Sequence, residues 1–312
     1  MLTYEHITKN KTESWILIFS FLIIISILGF VFSQAYQAPQ ILYFAVGFSV
    51  FTSLISYYFS DSITLALSRA KEVDRQSNQE LYRLVENLCI AAGLPTPRIY
   101  IIEDTAPNAF ATGRDPKHAV VCFTTVILQK LEKTELEGVV AHELSHIGNY
   151  DIRVMTLVVV LVGTVTLLAD WMLRASFFGG RKSNDREGGQ LKMILMIAGL
   201  ILAILSPIIA MLIKLAVSRK REFLADASGA LLTRYPEGLA KALEKISADK
   251  EPLEAANKAT AHMYIVNPFH EDKGPSTSLG TTSAGSRSWF AKMFNTHPPV
   301  EERVKRLREM NL

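Results

Sequence analysis

The 312-residue chain carries 33 basic and 30 acidic residues, a formal charge of +3, with 49% hydrophobic residues against 20% charged. Mean hydropathy is positive, +0.20. A soluble domain carries roughly 25% charge, so this balance points to a membrane and excludes a disordered chain; the small net charge gives no reason to expect a nucleic-acid partner. The two cysteines, Cys89 and Cys122, cannot build a disulfide framework and fit a reducing compartment as packing residues.

In chain order, Trp15–Phe32 is uncharged over 18 residues and Ile41–Phe59 over 19. About 20 apolar residues span a bilayer as a helix, so these runs predict a transmembrane hairpin over residues 1–60. The first run is too long for a signal-peptide core, lacks a small-x-small cleavage site after it, and is followed at once by the second. Lys9 and Lys11 precede the hairpin and Arg69, Lys71 and Arg75 follow it, while Gln34–Gln40 has no basic residue. Arg219, Lys220 and Arg221 follow the last apolar run. By the bias of basic residues, both termini and residues 61–151 face the cytoplasm.

Residues 61–151 form the first part of a soluble domain. Ser68–Gly93 predicts a helix with Leu81, Leu84, Val85 and Leu88 on one face, stopped by Gly93 and Pro95. Arg98–Ile102 and Ala119–Thr124 predict short strands, with Asn108–Gly113 between them as an exposed edge strand. Thr134, with Glu137 three residues on, has the form of a capping box that starts a helix through His142-Glu143-Leu144-Ser145-His146. Two further apolar runs, Val154–Ala169 and Met193–Ile213, are uncharged over 16 and 21 residues. They predict a second hydrophobic hairpin over 152–216, about four spans in all. The five cations between them, Arg174, Arg181, Lys182, Arg186 and Lys192, are awkward in an external loop; the alternative is that both runs dip in and return. Residues 217–312 complete the soluble domain, mostly helical, with Gly274–Ser288 as a Gly/Ser/Thr-rich loop.

The chemistry concentrates around His142. His142 and His146 are four apart, hence on one helix face a turn from each other. Two imidazoles so spaced can share a zinc ion, with Glu143 beside them as general base for its water. Gly138–Ala141 makes the preceding turn small and apolar, as a buried helix needs, and imidazoles in such a helix must be satisfied, which a metal does. A catalytic zinc takes three protein ligands. Glu222 and Asp226 are also four apart: Glu222 can ligate while Asp226 accepts a hydrogen bond from the far nitrogen of a bound imidazole. By spacing alone, the pair is equally an ordinary charged helix face beside Arg219 and Arg221.

His142-Glu143-Leu144-Ser145-His146 followed by Glu222-Phe223-Leu224-Ala225-Asp226, with hydrophobic spans on both sides, resembles the HtpX family of membrane zinc metallopeptidases, relatives of the CAAX prenyl proteases. Asn108-Ala109-Phe110-Ala111-Thr112-Gly113 resembles the edge strand on which that family holds substrate backbone. Thr296-His297-Pro298-Pro299-Val300-Glu301-Glu302-Arg303 resembles its C-terminal motif, and Gly274–Trp289 matches poorly. The resemblance implies an α-helical membrane protein with about four transmembrane helices and a mainly helical, gluzincin-like zinc peptidase domain with a small β-sheet. It implies one Zn2+ per chain on His142, His146 and Glu222, and Glu143 as the catalytic base. Asn108, Ala109, Phe110 and Ala111 are implied to bind substrate, and Asp226 and Arg303 to order the site. His297 either stabilises the oxyanion or is a loop histidine before two prolines. The implied task is hydrolysis of misfolded or surplus membrane proteins at the cytoplasmic face of the cell (inner) membrane, with the lipid bilayer and polypeptide substrates as partners. A prenyl-protein endopeptidase would share the metal site but belongs to a longer chain with more spans. A non-enzymatic membrane scaffold would not need Glu143.

Overall fold

The computed structural model describes residues 2–35, 37–178, 218–256, 259–268 and 298–310. The apolar run Met193–Ile213, most of the cationic loop before it, the stretch Gly274–Ser288 and His297 lie outside the described residues.

Helices α1 (Leu2–Ala35) and α2 (Gln40–Leu67) form the N-terminal hairpin. Glu5–Gln34 and Gln40–Leu67 are the two helices among the described residues that are long and apolar enough to cross a membrane. The polarity of α2 is inverted. On α2, Ser49, Thr52, Ser53, Ser56, Ser60 and Thr64 are buried, while Phe44, Phe51, Leu54 and Phe59 are exposed. In water such a face would be costly; against lipid, small polar residues belong between helices and apolar ones outside. A further helix, α6 (Asp151–Phe178), lays Val154, Val158, Leu161 and Val165 on Leu17, Phe21 and Ile25 of α1. The apolar run Val154–Ala169 thus belongs to the same bundle.

The soluble part centres on a four-stranded sheet of β1 (Lys71–Glu72), β2 (Arg98–Ile102), β3 (Ala109–Gly113) and β4 (Ala119–Thr124) in the order β1-β2-β4-β3. β2 and β4 run parallel; the other pairs are antiparallel. The expected helix Ser68–Gly93 is shorter, α3 (Gln79–Ala92). Lys71 and Glu72 instead pair with Ile101 and Tyr100, and Val73, buried amid polar neighbours, donates its N–H to Ile99 O. Extended pairing satisfies that backbone, whereas a helix there would have no apolar face to bury. The strand β3 is an edge, but not an exposed one: all five of its residues are buried. Helices α5 (Lys133–Gly148) and α6 pack on it, and Ile265 N donates to Ala109 O at 3.0 Å.

Helix α5 sits at the centre, with Gly138 to Leu144 buried without interruption. It begins two residues earlier than the Thr134–Glu137 pattern implied, at Lys133, with the reciprocal box formed by Glu132 and Glu135. The Glu135 carboxylate accepts from Glu132 N at 2.8 Å and pairs with Lys245, an anchor Glu137 does not have among the described contacts. Around α5 pack α7 (Arg219–Thr233) and α8 (Pro236–Ala248), and the amphipathic α9 (Val300–Arg308) packs in turn on α8 and α7. Two glycines permit this closeness. A Cβ on Gly138 would lie 2.7 Å from Leu239 N, and one on Gly229 would lie 2.9 Å from His142 N.

Candidate metal centre

On α5, His142 and His146 point the same way because helical residues four apart share a face. Their Nε2 atoms are 3.2 Å apart. Helix α7 crosses at Gly229 and delivers Glu222: its carboxylate oxygens lie 3.7 Å from His142 Nε2 and 3.7 Å from His146 Nε2. Ligand atoms of these three buried residues all lie within 4.8 Å of one another, a group that can hold a metal ion. Tetrahedral zinc with ~2.0–2.1 Å bonds to nitrogen or oxygen needs ligand atoms roughly 3.3 Å apart, so the two-nitrogen, one-carboxylate set fits that ion with small adjustments.

Each imidazole is held from behind. His142 Nδ1 lies 2.9 Å from Asp226 Oδ1, and His146 Nδ1 lies 3.0 Å from Asp151 Oδ2. With Nδ1 held by a carboxylate, Nε2 is the ring nitrogen turned toward a metal. Arg303, on α9 and 1% exposed, grips Asp226 with two hydrogen bonds, Nε to Oδ2 at 2.8 Å and an NH2 to Oδ1 at 2.7 Å. Its remaining arm donates to Ile265 O at 2.8 Å and lies 3.5 Å from Glu222. Burial pushes the Asp226 carboxyl up, but Arg303 and His142 outweigh it and hold it below the usual carboxylate range.

Glu143 is the buried neighbour of this group. Burial pushes its carboxyl up to about 7; Glu222 adds to the rise, while His146, Arg303 and a hydrogen bond from the Ala111 amide oppose it. Burial lowers His142 below its ordinary value, with Asp226 pulling the other way. Burial also lowers His146, yet Asp151, Glu222 and Glu143 outweigh that and carry it to about 9.

Of the residues the sequence singles out, the fold thus brings together His142, Glu143, His146, Glu222, Asp226 and Arg303. Asn108, Ala109, Phe110 and Ala111 lie in or beside β3, and only Ala111 reaches the group directly, through its amide to Glu143. Asn108 Nδ2 donates to Val266 O at 3.0 Å, Ala109 O is taken by Ile265, and Phe110 packs edge-on against Tyr264 at 5.1 Å between ring centroids. Sequence reasoning missed Asp151, five residues after His146. The turn that returns it to the imidazole depends on Tyr150 at φ 62°, a left-handed conformation that no residue-type pattern announces in a tyrosine.

Two histidines and a glutamate that could hold a metal ion, a second buried glutamate beside them, and a bundle with lipid-type polarity fit the class of membrane-bound metallopeptidases. Residues 75–311 match the model of Peptidase family M48. The chain is 42% identical over 308 residues to a protein named Protease HtpX homolog from Dictyoglomus turgidum, covering 98% of this chain and 94% of that one. It is 41% identical over 309 residues to a Protease HtpX homolog from Tropheryma whipplei, covering 99% of each. The chain belongs to peptidase family M48 and, within it, to the HtpX proteases. Among solved structures, Ste24p of S. mikatae aligns with a TM-score of 0.48 at 17% identity, over 97% of this chain and 67% of that one.

Proposed function

We propose that this membrane protease is a zinc endopeptidase that cleaves misfolded or surplus membrane proteins at the cytoplasmic face of the cell membrane. His142, His146 and Glu222 would hold one zinc ion. The observation that carries the reading is the convergence of these ligands beside Glu143, at the corner where α5 turns by 82° into α6. That corner lies where the soluble domain meets the membrane bundle, so a polypeptide leaving the bilayer is presented to it.

When bound, zinc would supply Lewis acidity, making a water easier to deprotonate and polarising a carbonyl. Glu143 takes the proton of the attacking water and passes it to the amine that leaves as the C–N bond breaks. A carboxyl poised near 7 can do both. Asp226 and Asp151 keep the two imidazoles in the tautomer that binds metal, and Arg303 fixes Asp226. Extended substrate would pair its backbone with the β3 edge at Ala111, past the Ala109 carbonyl that Ile265 already holds, a mode that asks little of sequence. With Asn108 and Ala109 bonded to Val266 and Ile265, Ala111 is the edge residue whose amide faces the base. His297 remains a candidate for the oxyanion.

The test uses purified, detergent-solubilised chain with zinc and casein. Cleavage that stops on chelation and returns with zinc is expected; intact casein would favour a scaffold. In cells, Glu143→Gln should trap uncleaved substrates. A trap holding membrane proteins supports the substrate class, and one holding only prenylated proteins overturns it.

A further inference from the structure

The site's ordering network does not stop at the soluble domain; it continues into the first transmembrane helix. Asn10, near the start of α1 and 2% exposed, donates through Nδ2 to Asp151 Oδ1 at 2.6 Å and to Asn149 O at 2.8 Å. The other oxygen of Asp151 holds His146 Nδ1. One turn along the same helix, Glu13 forms an ion pair with Arg221. Arg221 immediately precedes Glu222, and its Nε lies 3.4 Å from Asp151 Oδ1. Ser14, also buried, donates its hydroxyl to Asn10 O at 2.8 Å.

A polar amide buried between a helix of the hairpin and the peptidase is costly unless it is fully bonded. Here both of its donor bonds end on the α5–α6 corner. A carboxylate that orients a metal-binding imidazole must itself be held, since outer-sphere partners set ring angle and ligand basicity. Asn10 is the neutral donor that holds Asp151, and Arg221 is the charged one.

We infer that Asn10 is a positioning residue for the metal: through Asp151 it fixes His146, so that the membrane hairpin is part of the metal centre and not only its anchor. This role rests on His146 being a zinc ligand. Removing the amide frees Asp151 to follow Arg221 away from the ring, and zinc binding weakens although no ligand has changed.

The test measures zinc Kd of the full-length, detergent-solubilised apoprotein by competition with a chromophoric chelator, for the wild type, Asn10→Leu, Asp151→Asn and the double variant. Outer-sphere partners typically contribute about 10–100-fold to metal affinity. Asn10→Leu should raise Kd by about 10-fold, the lower end of that range, and by nothing further in the Asp151→Asn background. The ligand-field bands of the cobalt-substituted protein should shift in Asn10→Leu and match the wild type in Thr12→Ala, an exposed change on the same helix. Asn10→Ser, smaller than the native residue, serves if leucine prevents folding. An unchanged Kd in Asn10→Leu or Asn10→Ser, or an equal rise with and without Asp151, overturns the role. A wild type that binds no zinc overturns the metal reading itself, and the role with it.

Discussion

Glu143 and Glu222 are both buried carboxylates near His146, yet their neighbours suit them to different chemistry. Glu222 stands 3.7 Å from both Nε2 atoms and is placed to ligate. Glu143 accepts from the Ala111 amide and is pushed toward neutrality by burial, which suits proton transfer. Glu143→Gln should therefore lower kcat by at least about 100-fold, the scale of a lost general base, with zinc Kd unchanged; loss of metal together with activity would show that Glu143 ligates. Glu222→Ala should weaken zinc by more than Asp226→Asn does, the latter costing about 10–100-fold. Equal retention in the Glu222 variant and the wild type removes that residue from the metal. Arg303 has a separate prediction. Its removal leaves Asp226 buried without its cation, and breaking a buried pair from one side costs about 3–5 kcal/mol. Arg303→Ala should show this as a lower thermal midpoint of the metal-free protein, and Arg303→Lys should not restore it, since an ammonium cannot make the two-pronged contact.

At the level of elements, the site is set by how closely α7 approaches α5. Gly229 lies against the backbone of His142, and an added methyl would meet His142 N at 2.9 Å. Because the obstacle is helix backbone, it cannot turn aside as a side chain can. Gly229→Ala should cost about 1–3 kcal/mol by overpacking and also weaken zinc, since α7 carries Glu222. A destabilised variant with native zinc affinity would mean that α7 yields elsewhere. Elements were legible in the sequence where burial imposes a local period. Arg98–Ile102 and Ala119–Thr124 are strands with those same bounds, and α3 keeps its Leu81, Leu84 and Val85 face. The stretch before α3 was misjudged because Lys71 and Glu72 owe their strand to partners 30 and 28 residues away, and nothing in their own side chains asks for it.

For the whole molecule, the decisive constraint is that His142 and His146 lie before α6 while Glu222 lies after the apolar run Met193–Ile213. Residues that share one site are on one side of the membrane, so the chain between them crosses an even number of times. Burying a 21-residue uncharged run favours two crossings, since a helix of about 20 residues matches the ~30 Å hydrocarbon core. Ser183→Cys, in a chain with Cys89 and Cys122 replaced, is expected to react with a membrane-impermeant maleimide from outside intact cells or spheroplasts. Labelling only after the membrane is opened would instead show two re-entrant segments.

The sequence by itself determined the membrane class, the N-terminal hairpin, the two strands of the sheet's middle and the residues of the centre. Each of those is written locally: about 20 apolar residues for a span, a short β-branched run for a strand, four-residue spacing for a helical face. Beyond Asp226 and Arg303, which residues orient that centre was decided only by the tertiary structure. Asp151 reaches His146 because Tyr150 takes a left-handed turn, Asn10 reaches Asp151 across 141 residues of chain, and β3 is buried because Ile265 and two helices close over it. Such contacts depend on where elements cross, and a crossing is fixed by the packing of whole faces and by glycines at the points of closest approach, not by any local pattern of residue types.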